Sequence, residues 1–350
     1  MRKAEESADS GGRHLRAWKV TGRGEPQDVL QLDEGAALPE PGEGQIRLRV
    51  AAAGVGLPDA YMCRGSYPLT PKLPFTPGQE VAGVVTAAGP GSRRAVGERV
   101  MAVTAFFLGH GSFAEECLAL DDFALGVPDA MDDAEAACFT IPFHTAYIGL
   151  VRRARLVVGE TLVVLGAAGG TGSAALQLGK STGARVIAVA GGPEKCAFCR
   201  DLGADRSIDY RSEDIAAAVR DATDGRGADV IYDPVGGESF RAATECIANE
   251  GRLLAVGFAS GSWGEPQVGH MVQHNYSVMG VIPSGYDYAF KVAAHDKLLE
   301  QWKHGDLRVP IYQRFDFERV PDAIALVTQG SVMGKVVVSL GGEDECNQDS

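Results

Sequence analysis

The sequence has no long hydrophobic run. No stretch reaches the roughly 18 uncharged apolar residues that a bilayer-spanning helix needs. Positive charge is also scarce: 33 Lys and Arg stand against 46 Asp and Glu, a formal net charge of −13. An acidic surface repels phosphate backbones and anionic headgroups, so neither nucleic acid nor membrane is an expected partner. Cysteines are few, at 63, 117, 138, 196, 199, 246 and 346. Their number is odd and their spacing scattered, which argues against a disulfide framework. Cys196 and Cys199 form a C-x-x-C inside the helical stretch "PEKCAFCRDLG", and no second Cys or His pair completes a metal site. The opening "MRKAEESADSGGRHLR" lacks the apolar core of a signal peptide. Residues 1–15 read as a disordered lead-in, and the chain reads as a soluble cytoplasmic protein.

What is present is an ordinary globular composition, 45% hydrophobic and 23% charged, over 350 residues. That length suits about two domains. Residues 16–140 carry short alternating segments such as "QIRLRVAAAGVG", "EVAGVVTAAG" and "GERVMAV", broken by Pro and Gly. This texture predicts a mostly-β region of strands and turns. From 141 to 282 the pattern changes to apolar strands alternating with helices: "TLVVL", "RVIAVA", "SID", "DVIYD", "RLLAVG" and "YSVMGV". About six strands in such a series predict a doubly wound parallel sheet, making the whole an α/β protein. Residues 283–342 hold a helix or two and end on the strand "GKVVVSL"; the polar tail 343–350 is expected to fray.

The first strand of the series runs into "GAAGGTGSAALQLGK", where side chains are nearly excluded. Ala167, Gly169 and Gly172 stand at the spacing of G-x-G-x-x-G, with Ala in the first place. A tight packing turn would demand small residues here, and so would a phosphate. A helix N-terminus offers unpaired N–H groups and the positive end of its dipole, so Ala168, Gly169, Gly170, Thr171 and Gly172 can cradle a pyrophosphate. The alternating series favours a dinucleotide. About 20 residues on, the second strand of an NAD site ends in an acid that holds the ribose 2′-hydroxyl. Here that end is Gly191 and Gly192, with Lys195 following. A missing carboxylate and a nearby cation point to NADPH.

The motifs "AYMCRGSYP", "LPFTPGQEVAGVV", "IPFHTAY", "GAAGGTG", "GADRSIDY", "YDPVGG", "EGRLLAVGF" and "MGKVVVSL" resemble, in family order, the medium-chain dehydrogenase/reductase superfamily. The nearest branch is the zinc-free NADPH-dependent quinone oxidoreductases, and the likeness covers roughly residues 16–341. It implies a GroES-like substrate domain followed by a Rossmann domain, a C-terminal segment returning to the first, and a cleft between them. It also implies a homodimer formed through the edge strand near residues 276–282. The three positions that hold catalytic zinc elsewhere in the superfamily fall on Gly56, Gln79 and near Ile141. None binds zinc well, and no cysteine-rich lobe for structural zinc follows, so no metal is expected. His110 and His144 stand alone.

The resemblance assigns Tyr61 and Tyr67 to the substrate cleft, where a phenol can donate to a forming oxyanion. It puts Thr145 on the nicotinamide side, Tyr210 by the adenosine phosphate, Gly236 and Gly237 near the ribose, and Lys335 within reach of the cofactor. Gly257 and Phe258 end the fifth strand, where the crevice opens. Without a Lewis acid, hydride needs an acceptor that is already electron-poor. The expected activity is NADPH-dependent reduction of a quinone or other electron-poor carbonyl compound. An enoyl or enone reductase would share every one of these features. A reading of another class is an NADPH-binding, redox-responsive regulator with little catalysis, which the Gly in place of the branch's frequent Asn at position 56 keeps open.

Overall fold

A computed structural model describes residues 15–340 of the chain. The expected lead-in and tail therefore lie almost wholly outside the described residues; Leu15 already begins the first strand. Leu15–Val20 pairs with Leu30–Ala36 in a two-stranded antiparallel ribbon. A seven-stranded sheet follows, built around the long strand Gln45–Val55. Glu80–Ala88 lies antiparallel on one side of it, and the chain's last strand, Lys335–Ser339, on the other. Not all of this region is strand and turn. Leu57–Arg64 forms a helix that starts after Gly56, with Asp59 closing the first turn onto the Gly56 N–H at 2.9 Å.

The second sheet is wholly parallel and has six strands. In order across the sheet they are Arg206–Asp209, Arg185–Ala190, Thr161–Val164, Ala228–Asp233, Ile247–Ala255 and Ser277–Gly280. Numbered by sequence that is 3-2-1-4-5-6, the order of a dinucleotide-binding sheet. Thr161–Val164 is buried on both faces, as a central parallel strand must be. Each fully buried Val or Leu in such a strand contributes about 1.5–3 kcal/mol. The strand order reverses between the first and fourth strands, so the crevice opens at their C-terminal ends, above the glycine turn.

Residues 283–340 divide into two parts. The helix Tyr288–His304, capped by Asp287 and stopped by Gly305 at φ +83°, stays with the parallel sheet's core through Ala294 and Leu298. The strands Ile311–Asp316 and Lys335–Ser339 return to the seven-stranded sheet, and the helix Val320–Thr328 packs into the core beneath it. The helix Tyr288–His304 also bridges the two halves. Arg94 donates to the Tyr288 hydroxyl, Arg93 lies over the Tyr288 ring, and Lys291 lies over the Phe123 ring at 3.5 Å.

His144, solitary in the sequence, meets His295 of this helix at 3.2 Å between ring nitrogens, and His295 Nε2 lies 3.0 Å from the Gly126 carbonyl. Burial, with His295 and Lys291 adding to it, pushes His144 down to about 3. The unfolded chain takes up this proton near pH 6.5, whereas the folded one stays neutral far below that. Stability is therefore complete above pH 6.5 and is lost as pH falls below it. We expect urea unfolding to lose about 1.4 kcal/mol per pH unit on acidification below 6.5 through this group. The substitution His144→Gln should flatten that slope, as read from unfolding midpoints between pH 5 and 7.

Candidate active site

The glycine turn leaves Thr161–Val164 and enters the helix Gly170–Ser181. Its three small positions have different reasons. At Gly172 a Cβ would run into the Gly166 carbonyl, so helix and turn pack only without one. At Gly169 a Cβ would meet only the Gly166 oxygen, at an ordinary 3.5 Å. At Gly170 the intruder is Lys335, whose Cδ lies 2.5 Å from where a Cβ would sit. The Gly334 N–H donates to the Ala168 carbonyl at 2.7 Å, so the C-terminal segment runs along the turn. The packing turn and the phosphate cradle are thus compatible. The helix starts after Gly169 with no side-chain cap, and Gly334 forms an isolated parallel bridge with Gly169.

Lys335 is placed differently from expectation. Its ammonium is buried and pairs with Glu80 Oε2. Burial pulls the lysine pKa down, but the Glu80 carboxylate outweighs it and holds it above the ordinary value. Only the aliphatic stem touches the turn; the head is committed to a partner that no sequence spacing reveals. Glu80 uses its other oxygen to accept from the Ile141 N–H at 3.0 Å. Nearby, Asp59 accepts from the Gly56 and Gly78 N–H groups at 2.9 and 3.1 Å. Burial pushes Asp59 up to about 7 despite these donors and the Lys335 charge. The three positions that would carry zinc thus lie around two carboxylates already engaged by backbone and lysine. Among the described residues, no group of three or more His, Cys, Asp or Glu could hold a metal ion.

At the far end of the crevice, Gly191 and Gly192 close the strand Arg185–Ala190. The Tyr210 hydroxyl lies 2.7 Å from a Cβ at Gly191, so its ring covers the strand end. Lys195 donates to the Gly330 carbonyl at 2.7 Å. Its pKa is lowered by burial and by the neighbouring Arg211. Arg211 lies over Gly192 and is the second cation here. Sequence reasoning missed it because it sits on the next strand's exit loop. It also missed Asp209, which accepts from the Gly192 and Arg211 N–H groups at 2.8 and 3.0 Å. These donors hold Asp209 below the usual carboxylate range. The strand end has no acid of its own, but the fold brings one beside it.

The loops after the fourth and fifth strands interlock. Asp233 accepts from the Val235 and Gly236 N–H groups, and Gly236 has φ +72° with the Ser262 carbonyl where a Cβ would be. Gly257 packs on the Pro234 carbonyl. This presents Phe258 to the other domain. Tyr61 stacks on Phe258 with centroids 5.2 Å apart, Tyr67 stands 6.4 Å from it, and Trp263 packs at 4.6 Å. The Tyr61 hydroxyl donates across the cleft to the Ala259 carbonyl at 3.0 Å. Its one proton is engaged there. Thr145 is buried in the helix Thr140–Tyr147, beside the glycine-turn helix. Tyr61, Tyr67 and Phe258 thus meet between the two domains, while Lys335 meets the glycine turn.

This arrangement has known relatives. Residues 42–129 match the alcohol dehydrogenase GroES-like domain, and residues 170–300 match the zinc-binding dehydrogenase family. The chain is 33% identical over 344 residues to quinone oxidoreductase-like protein 2 homolog of Nematostella vectensis, covering 97% of this chain and 92% of that protein. It is 30% identical over 332 residues to prostaglandin reductase-3 of Mus musculus, covering 89% of this chain and 86% of that protein. The crystal structure of Escherichia coli quinone oxidoreductase complexed with NADPH superposes with a TM-score of 0.84 at 26% identity, over 93% of this chain and 99% of that one. Fold, site and likeness agree: the chain belongs to the medium-chain dehydrogenase/reductase superfamily, in its quinone oxidoreductase branch.

Proposed function

We propose that the protein is an NADPH-dependent reductase that passes hydride, without a metal, to quinones or other electron-poor carbonyl compounds. One observation carries the reading: a helix N-terminus of small residues at Gly170 and two cations, Lys195 and Arg211, stand at the C-terminal ends of two adjacent parallel strands. The residues fit the nucleotide. The turn from Ala168 to Gly172 offers backbone N–H groups and dipole to a diphosphate. Lys195, Arg211 and Tyr210, at the end of the second strand, would receive a 2′-phosphate, and Asp209 is turned to the backbone. When bound, the nicotinamide supplies a hydride and its electron pair. Tyr61, Tyr67, Phe258 and Trp263 flank the acceptor with flat apolar surface. The Tyr61–Ala259 hydrogen bond holds the domains together over it, excluding water and strengthening each polar contact inside.

The donor set supports a metal-free reaction, because Gly56, Gln79 and Ile141 offer no thiolate or imidazole. The likeness to prostaglandin reductase-3 supports a second acceptor class, the α,β-unsaturated carbonyls. Both classes accept hydride without Lewis-acid help. The strand Ser277–Gly280 ends the parallel sheet with one edge unpaired among the described strands. Val272 beside it and Ile282 after it are exposed. We read this edge as the place where a second copy adds its own strand. No described helix is long and apolar enough to cross a membrane.

Three outcomes are expected. Fluorescence titration should give much tighter binding for NADPH than for NADH. Lys195→Ala or Arg211→Ala should each weaken NADPH about tenfold or more and leave NADH nearly unchanged, since a charge-assisted hydrogen bond contributes about 1.5–3 kcal/mol. Equal affinity for the two cofactors in the unchanged protein would refute the assignment. Chelator-treated protein should oxidise NADPH with small quinones or enones at an unchanged rate, and elemental analysis should find well under one zinc per chain. Absence of turnover across both acceptor classes, with NADPH still bound, would favour a binding-only protein. Light scattering should give twice the 36.8 kDa chain mass, and Met279→Pro in the edge strand should yield monomer.

A further inference from the structure

Gln79 enters the sequence argument only as a position that cannot bind zinc. Its surroundings suit it to another task. Its backbone is pinned: its carbonyl accepts from the Thr104 N–H at 3.0 Å. On either side Gly78 is held by Asp59 and Glu80 by Lys335. The side chain is more than nine-tenths buried, at 8% exposure, yet Nε2 has no hydrogen-bond partner among the described residues. Native proteins keep few buried donors unpaired, because each gives up water for nothing. The two carboxylates in this cluster are committed. Asp59 accepts from two backbone N–H groups, and Glu80 from Ile141 and Lys335.

The orphan amide lies beside the Tyr67 phenol. Burial pushes the Tyr67 pKa up, and a hydrogen-bonding approach of the Gln79 amide opposes it, so one of the two Nε2 protons is turned toward the phenol and the other has no partner. Tyr67 in turn faces Phe258 and Phe106, with centroids 6.4 and 6.3 Å away. The unpaired N–H group is therefore at the polar end of an otherwise aromatic wall. Gly56 starts the neighbouring helix, and a Cβ there would meet only Pro58 and Asp59, at 3.2 Å or more.

We propose that Gln79 Nε2 is the substrate-oxygen donor of this site, binding the acceptor's neutral carbonyl in the place the superfamily gives to a metal ligand. This rests on the reductase reading above and deepens it. In the reaction the acceptor gains a hydride and its electron pair from NADPH. The π pair of the acceptor moves onto the carbonyl oxygen, and the reduced product takes its proton from water. The amide keeps both of its protons and stabilises the charge as it forms. The pocket's wall is aromatic, which suits flat, uncharged quinones and enones.

The test uses the full chain with NADPH, and three substitutions at one position. Gln79→Leu should lower kcat about 10²-fold with NADPH affinity unchanged, the usual cost of losing one oxyanion donor. Gln79→Glu should be inactive at high pH and regain activity as pH falls, because only the protonated acid donates; Gln79→Asn, with a shorter reach, should fall between. A role in packing alone would give no such acid recovery. Independently of turnover, the infrared carbonyl stretch of bound cyclohexenone should shift to lower frequency in the unchanged protein and lose that shift in Gln79→Leu. No shift in the unchanged protein overturns the inference. So does a kcat within threefold of the unchanged protein in Gln79→Leu, or a pH-flat Gln79→Glu. Failure of the unchanged protein to turn over any acceptor, with the infrared shift intact, would instead overturn the reductase reading and leave the Gln79 contact standing.

Discussion

The Lys335–Glu80 pair is the constraint on which the rest of the molecule hangs. Two opposite charges are taken out of water together at the junction of the two sheets. Leaving either one unpaired would cost about 3–5 kcal/mol. Four segments are therefore locked at one point. Lys335 opens the last strand and lays its stem on Gly170; Glu80 opens another strand of the same seven-stranded sheet and caps Ile141 at the start of the junction helix. The nucleotide turn meets the substrate sheet through the Lys335 stem on Gly170 and the Gly334 N–H donated to the Ala168 carbonyl, and the buried pair fixes the lysine that makes this contact.

Given that lock, the crevice is a consequence of topology. A 3-2-1-4-5-6 parallel sheet opens where its strand order reverses, and the seven-stranded sheet is held against that opening. The fourth- and fifth-strand loops interlock through glycines and push Phe258 toward Tyr61 and Tyr67. The wall facing a substrate is thus aromatic and flat. Its polar end is a cluster in which nearly every carboxylate oxygen is already used by backbone or lysine. Chemistry in such a place depends on hydrogen bonds that are dry and preset.

Much of this was legible residue by residue. The run "TLVVLGAAGG" announces a strand, a tight turn and a helix, because each depends on contacts within a few residues. The helix Leu57–Arg64 was harder to see, since Gly56 and Pro58 read as turn punctuation until Asp59 closes the first turn. Lys335 was legible as a neighbour of the turn, but not as the partner of a glutamate 255 residues away. Tyr61 was legible as lining the cleft, but the carbonyl that takes its proton comes from the opposite domain. Arg211 and Asp209 went unread because they join the second strand's end only through the neighbouring strand.

The sequence alone determined the alternation of strands and helices, the place of the nucleotide turn, the lack of metal-binding side chains at three expected positions, and the family. These follow from local periodicity, small-residue spacing and residue type, which need no partner. Only the tertiary structure decided which polar atoms are spent and which remain. Lys335, Tyr61 and Asp59 are committed and the Gln79 amide is not, because hydrogen bonding is a property of pairs, and the partners arrive from segments far apart in the chain.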